Sequence, residues 1–220
     1  MKEFRNQILT TAAALLVFSG VGAALLSGTF KITRPAIEQS ERSAKMKLVA
    51  QTLPAGGFDN DPVKDARPLP ADALLGLKFP GQAYLASRHG AAVAVVLEAA
   101  APDGYSGEIR FLVGILPDGR VSGVRVTGHR ETPGLGDYIE IGKSPWIRNF
   151  DGKSLSNPQP LYWKVRKDGG QFDYMAGATI TPRAMVKAVR KALEYFAAHR
   201  DELLAPPAPG PAGPSPETTP

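Results

Sequence analysis

Two threonines stand two residues apart in the segment DYMAGATITPRAMVKAV (173–189), and they suit different chemistry. Thr181 precedes Pro182. A hydroxyl followed by a proline makes a good helix start, because the side-chain oxygen accepts an orphan backbone N–H and proline fits the first helical position. Beyond it Met185, Val189, Leu193 and Phe196 recur at helical spacing, with Lys187, Arg190, Lys191 and Glu194 between them. The pattern predicts a helix from Pro182 to about residue 204, capped by Thr181. Thr179 has no such task. It lies two residues upstream of that cap, in a glycine-containing approach to the positive end of a helix dipole, where a phosphate binds well. A second segment, GHRETPGLGD (128–137), is a dense turn after a strand. Its glycines and proline would let the backbone approach a flat or anionic ligand closely; an ordinary long connection is the plain alternative.

Other constellations fail one by one. GYSG (104–107) misses the nucleophile elbow by one position. No phosphate loop with a Gly-Lys-Ser/Thr ending occurs, and PGLG is no dinucleotide fingerprint. His89, His129 and His199 lack metal-ligand spacing, and DNDPVKD (59–65) lacks the glycine and terminal glutamate of a calcium loop, so no metal site is expected. With no cysteine in 220 residues, disulfides, thiolate metal sites, iron–sulfur ligation and cysteine nucleophiles are excluded. The net charge is +5, but the basic residues are scattered and no aromatics interleave with them, which leaves a nucleic-acid face unsupported.

The elements that must position these residues follow an apolar start. Residues 8–30, ILTTAAALLVFSGVGAALLSGTF, carry no charge and are bracketed by Lys2 and Arg5, then Lys31 and Arg34. The stretch is long enough to cross a bilayer, which takes about 20 residues. A retained membrane anchor is the reading; a signal peptide cut near Ala23 is the rival. Ser19, Ala23 and Ser27, and beside them Gly20, Ala24 and Gly28, form small-residue rows of the kind that let membrane helices approach closely, though such residues are also common in membrane spans. Charge leaves the orientation open, since both flanks carry two basic residues. Residues 37–53 read as a helix ending at Pro54, and a Gly/Pro/Asp-rich stretch runs to about residue 80. AAVAVVLEA (91–99) reads as a buried strand, and GEIRFLVGI, LPDGR and VSGVRVTGH as a hairpin with its turn. LYWKVRK (161–167) is predicted as a further short strand. The tail from Ala205 is Pro/Gly-rich without core-forming residues and is expected to be disordered. The fold class is α+β: one N-terminal transmembrane helix, then one small antiparallel-sheet domain with flanking helices. The expected organisation is a cytoplasmic N-terminus (1–7), the span (8–30), a helical and loop connection (31–80), the sheet domain (81–204) and the tail (205–220).

Taken in order behind one anchor, HRETPGLGD, WIRNFDGKSL and DYMAGATIT resemble the flavin-binding subunits of ion-pumping respiratory complexes. The chain is most similar to the G subunit of the Rnf electron-transport complex; the C subunit of the sodium-translocating NADH:quinone reductase is a related, typically longer relative. The resemblance covers the anchor to about residue 200. In that family an Asp-x-x-Ser/Thr-Gly-Ala-Thr motif carries FMN, joined through its phosphate to the last threonine. It implies covalent FMN on Thr179, with Asp173, Gly177 and Ala178 matching and Ala176 departing from the usual Ser or Thr. It further implies a separate FAD- and Mg²⁺-dependent flavin transferase, because no base stands beside Thr179 in sequence. Glu131 to Gly136, with Thr132 and Leu135 against the ring, are expected to form the pocket wall, and Tyr162, Trp163 and Lys164 are lesser candidates. The protein would then be an electron carrier, not an enzyme by itself. It would sit in a bacterial inner membrane with its domain on the periplasmic side, beside other membrane subunits that handle ferredoxin and NAD⁺. A membrane-anchored binding or sensor domain without redox work is the rival from another class.

Overall fold

The structure is a computed structural model that describes residues 1–54 and 56–206. The predicted tail therefore lies outside the described residues from position 207 onward. Two compact units are present, Met1–Ala44 and Lys45–Pro220.

The two helical segments expected near the N-terminus are one helix, α1 (Lys2–Thr52). Pro35 sits inside it, and its missing N–H removes one rung of the helical ladder without ending the helix. The first unit holds only the part of this helix up to Ala44; none of the apolar stretch is buried, as suits a surface meant for lipid rather than water.

The second unit is built on five antiparallel strands in sequential order: β1 (Arg67–Leu69), β2 (Gly81–Arg88), β3 (Ala91–Ala101), β4 (Ile109–Ile115) and β5 (Val121–Gly128). Pairing of Leu97 with Val113, and of Val113 with Val124, fixes the register of the central strands. The expected hairpin is present: Gly119 adopts a positive φ of 83°, and the turn is closed by the Leu116 N–H on the Arg120 carbonyl at 2.8 Å. One face of the sheet, with Leu85, Leu97, Phe111 and Val113, packs against α2 (Ile180–Ala198), which a short helix α3 (Arg200–Leu204) follows. The other face, with Tyr84, Ala86, Val96 and Leu112, is covered by Val49 and Leu53 at the end of α1. Burial on both faces explains why β2 is not legible as an alternating strand.

Met185, Val189, Leu193 and Phe196 are all buried on α2, as their spacing predicts. The helix nevertheless differs from expectation at both ends. It begins at Ile180, two residues early, so Thr179 and not Thr181 occupies the N-cap position, and His199 separates α2 from α3. LYWKVRK is not a strand. Its residues form two 3₁₀ turns, Pro160–Tyr162 and Arg166–Asp168, with a single bridge between Val165 and Phe172. Pro160 lacks a ladder donor, and the buried Trp163 indole donates to the Ser154 carbonyl at 3.1 Å, which fixes the segment by a side chain instead of a neighbouring strand.

Candidate functional site

A cavity of about 250 Å³ opens between the turn that follows β5 and the start of α2. Tyr105, Glu131, Thr132, Leu135, Gly136, Gly177, Ala178, Thr179, Ile180 and Thr181 line it. Seven of the eight residues expected to bind a cofactor are thus brought together from two segments more than 40 positions apart. The eighth, Asp173, stands outside the lining. Its carboxylate pairs with Arg166 at 3.1 Å, and its carbonyl accepts the Trp146 indole N–H at 2.8 Å. Trp163 belongs to the core, while Tyr162 and Lys164 are exposed and do not line the cavity.

Thr179 is partly buried at the rim. Its backbone is helical (φ −83°, ψ −24°), and its hydroxyl makes no capping hydrogen bond. The side chain is therefore not committed to the helix end that it precedes. Gly177, at φ +85°, turns the chain into that end in a conformation that L side chains rarely adopt. The first N–H groups of α2 have no partner within the helix and point toward this rim, so the local field favours a negative charge. Leu135 and Ile180, 47% and 46% exposed, give the mouth an apolar surface suited to a flat ring.

Thr181 has a different role from the one predicted. It is 1% exposed, and its hydroxyl donates to the Glu131 carboxylate rather than accepting a helix N–H. Glu131 also accepts the N–H groups of Ser106 at 2.9 Å and Tyr105 at 3.3 Å. Its own N–H donates to His129 Nδ1 at 3.0 Å, which leaves the proton on Nε2, facing Glu140 Oε1 at 2.8 Å. Sequence reading missed Tyr105 and Ile180 as lining residues and missed this partner of Thr181. Tyr105 carries no signal beyond its place in GYSG, and the Thr181–Glu131 pair spans fifty positions.

Below the turn, Asp137 Oδ1 accepts the Gly134 N–H at 2.8 Å, and Lys143 Nζ lies 2.8 Å from both Asp137 and Glu140. The Lys143 ammonium holds both carboxyls below their usual range, and they in turn raise Lys143. Depressed carboxyl values stabilise the folded state above the unfolded values near pH 4 and lose that contribution as pH falls through the folded ones; the raised lysine value contributes up to about pH 10. Lys143→Met is therefore expected to lower the melting temperature by a few degrees at most at pH 7. Melts at a series of pH values should show the difference from the parent shrinking below about pH 4.

On the far side of the turn Tyr138 and Trp146 meet edge to face at 5.4 Å, and Trp146 continues into Phe150, Trp163 and Phe172. Burial pushes the Tyr138 hydroxyl up to about 12, with the Met175 backbone N–H acting the other way in lesser measure. This aromatic cluster, through the Trp146–Asp173 bond, supports the loop that leads to Thr179.

Fold and cavity define a protein with one N-terminal apolar helix and one flavin-nucleotide domain: residues 104–194 match the family model of the FMN-binding domain, and residues 1–52 match that of the RnfG N-terminal region. Similar proteins include the G subunit of the ion-translocating oxidoreductase complex of Pseudomonas aeruginosa, 51% identical over 92% of this chain and 94% of the relative. Its namesakes from Vibrio cholerae and Cereibacter sphaeroides are 46% and 45% identical, over 89% and 93% of this chain and 93% and 91% of those relatives. The chain belongs to the family of G subunits of ion-translocating oxidoreductase complexes. Of the two relatives that the motifs suggest, the G subunit is therefore the match.

Proposed function

We propose that the chain is the single-pass, electron-carrying subunit of such a complex, with FMN joined through its phosphate to Thr179. The observation that carries this reading is the placement of Thr179: a hydroxyl unused by the helix cap, at the positive end of α2 and on the rim of a cavity with an apolar mouth. The residues fit the group. A phosphodiester on Thr179 keeps a negative charge at the helix N-terminus, and Leu135 and Ile180 offer apolar surface to an isoalloxazine ring. At about 250 Å³ the cavity falls just below the range of pockets that enclose a whole ligand, which suits a cofactor left partly open to a redox partner. FMN supplies reversible uptake of electrons; the protein contributes position and local charge.

Thr179 has no base hydrogen-bonded to its hydroxyl among the described residues, so attachment falls to a separate enzyme. FAD is the donor in this proposal: the Thr179 oxygen forms a bond to the phosphorus on the riboflavin side, the phosphoanhydride breaks, AMP leaves and the hydroxyl proton passes to a base of the transferase. No electrons are transferred in the step. Denaturing gel electrophoresis tests the reading, because covalent flavin keeps its fluorescence in the protein band whereas a dissociable ligand leaves it. A dark band from protein co-expressed with the transferase would sink the proposal.

The apolar part of α1 is the proposed anchor, being the helix among the described residues that is long and apolar enough to cross a bilayer. The domain that follows is assigned to the periplasmic side. Protease added to intact spheroplasts is accordingly expected to digest it. Protection of the whole domain, or a mature N-terminus near Ala23, would contradict this.

A further inference from the structure

Glu131 is 4% exposed, yet among the described residues no cation pairs with its carboxylate. A buried charge of that kind persists only where hydrogen bonds replace its lost water. Here the donors come from two other segments: the Thr181 hydroxyl at the start of α2, and the N–H groups of Tyr105 and Ser106 in the loop before β4. These segments, with the 131–136 turn, are the ones that wall the cavity. The turn closes tightly over the pair, since a Cβ on Gly136 would come within 2.9 Å of both Glu131 Cβ and Thr181 Oγ1. Thr181 lies in the same helical turn as Thr179, so what fixes one fixes the direction of the other.

We propose that Glu131 is the positioning residue for flavin attachment: by accepting the Thr181 hydroxyl and the 105–106 N–H groups, it holds the first turn of α2, and with it Thr179, in the arrangement the transferase modifies. This inference rests on the reading of Thr179 as the attachment site. Glu131 does not touch the reacting phosphorus in this role. It acts through Thr181, and either partner removed alone leaves the other with a buried, unmet hydrogen-bonding group.

The test loads the full-length chain with purified transferase, FAD and Mg²⁺, and follows the initial rate of protein-bound fluorescence for the parent, Glu131→Ala, Thr181→Val, Thr181→Ser and Thr179→Ala. Each rate is measured well below the melting midpoint of that variant. Glu131→Ala and Thr181→Val should load about tenfold more slowly than the parent, consistent with loss of a buried hydrogen-bond partner. Thr181→Ser, which keeps the hydroxyl, should load at close to the parent rate; this rescue is what a merely space-filling role for Thr181 would not give. Thr181→Val alone decides the matter if Glu131→Ala does not fold. Parent-like loading of both slow variants would overturn the proposal, as would equal slowing in Thr181→Ser and Thr181→Val, or a Thr181→Val chain that is unfolded at the assay temperature. Failure of the underlying assignment looks different: the parent takes no covalent flavin, or Thr179→Ala takes as much as the parent.

Discussion

Thr179→Ala is expected to remove all covalent flavin while leaving the domain folded. The hydroxyl makes no capping hydrogen bond, and the residue is only partly buried, so truncation breaks no internal contact that the helix depends on. A change in stability within about 0.5 kcal/mol is the usual result at such a position. Attachment, by contrast, requires an oxygen at that carbon, and alanine has none. Thr179→Ser restores the oxygen and should restore part or all of the flavin. Thr181→Ala should behave in the opposite sense: it leaves the Glu131 carboxylate short of one donor, at a cost of about 1–3 kcal/mol, while flavin attachment falls without vanishing. In-gel fluorescence and thermal melting on the three variants separate these outcomes. Flavin persisting in Thr179→Ala would show the site to be elsewhere.

Phe150→Ala is expected to have the largest effect on stability of the substitutions considered. The ring is fully buried and lies 5.5 Å from Trp146, 6.5 Å from Trp163 and 5.1 Å from Phe172. Removing a buried phenylalanine typically costs about 3–5 kcal/mol, a large part of a domain's total of roughly 5–15. For a domain of this size that corresponds to a drop of roughly 10 °C in melting temperature. The effect should reach the site as well. Trp146 packs on Phe150 and holds the Asp173 carbonyl at 2.8 Å, so loss of the ring loosens the loop that presents Thr179. Calorimetry and flavin content on the same preparation check both parts. An unchanged midpoint would show that the cluster does not support the domain.

The elements legible in the sequence were those whose signal is local. The hairpin of β4 and β5 follows from Pro117, Asp118 and Gly119 between two apolar runs, and the buried face of α2 follows from the spacing of Met185 through Phe196. What escaped depends on distant partners. β2 is covered on both faces, so its residues show no clean alternation. LYWKVRK reads as a short strand, but the Trp163 indole is held by the Ser154 carbonyl, a partner that the local sequence does not announce. Thr181 looked like a cap because Pro182 follows it; only folding brings Glu131 to its hydroxyl and moves the helix start back to Ile180. The cavity itself was anticipated through a family resemblance, since nothing in the spacing of 131–136 and 177–179 states that the two segments meet.

Peptide mapping of the flavin, on full-length chain co-expressed with the transferase, tests the central claim most directly. One modified residue is expected, Thr179, in a fluorescent peptide from the 173–183 region whose mass exceeds the unmodified peptide by one FMN less one water. Flavin on Thr181 or on any other residue, or a chain of unmodified mass that releases its flavin on denaturation, would contradict it.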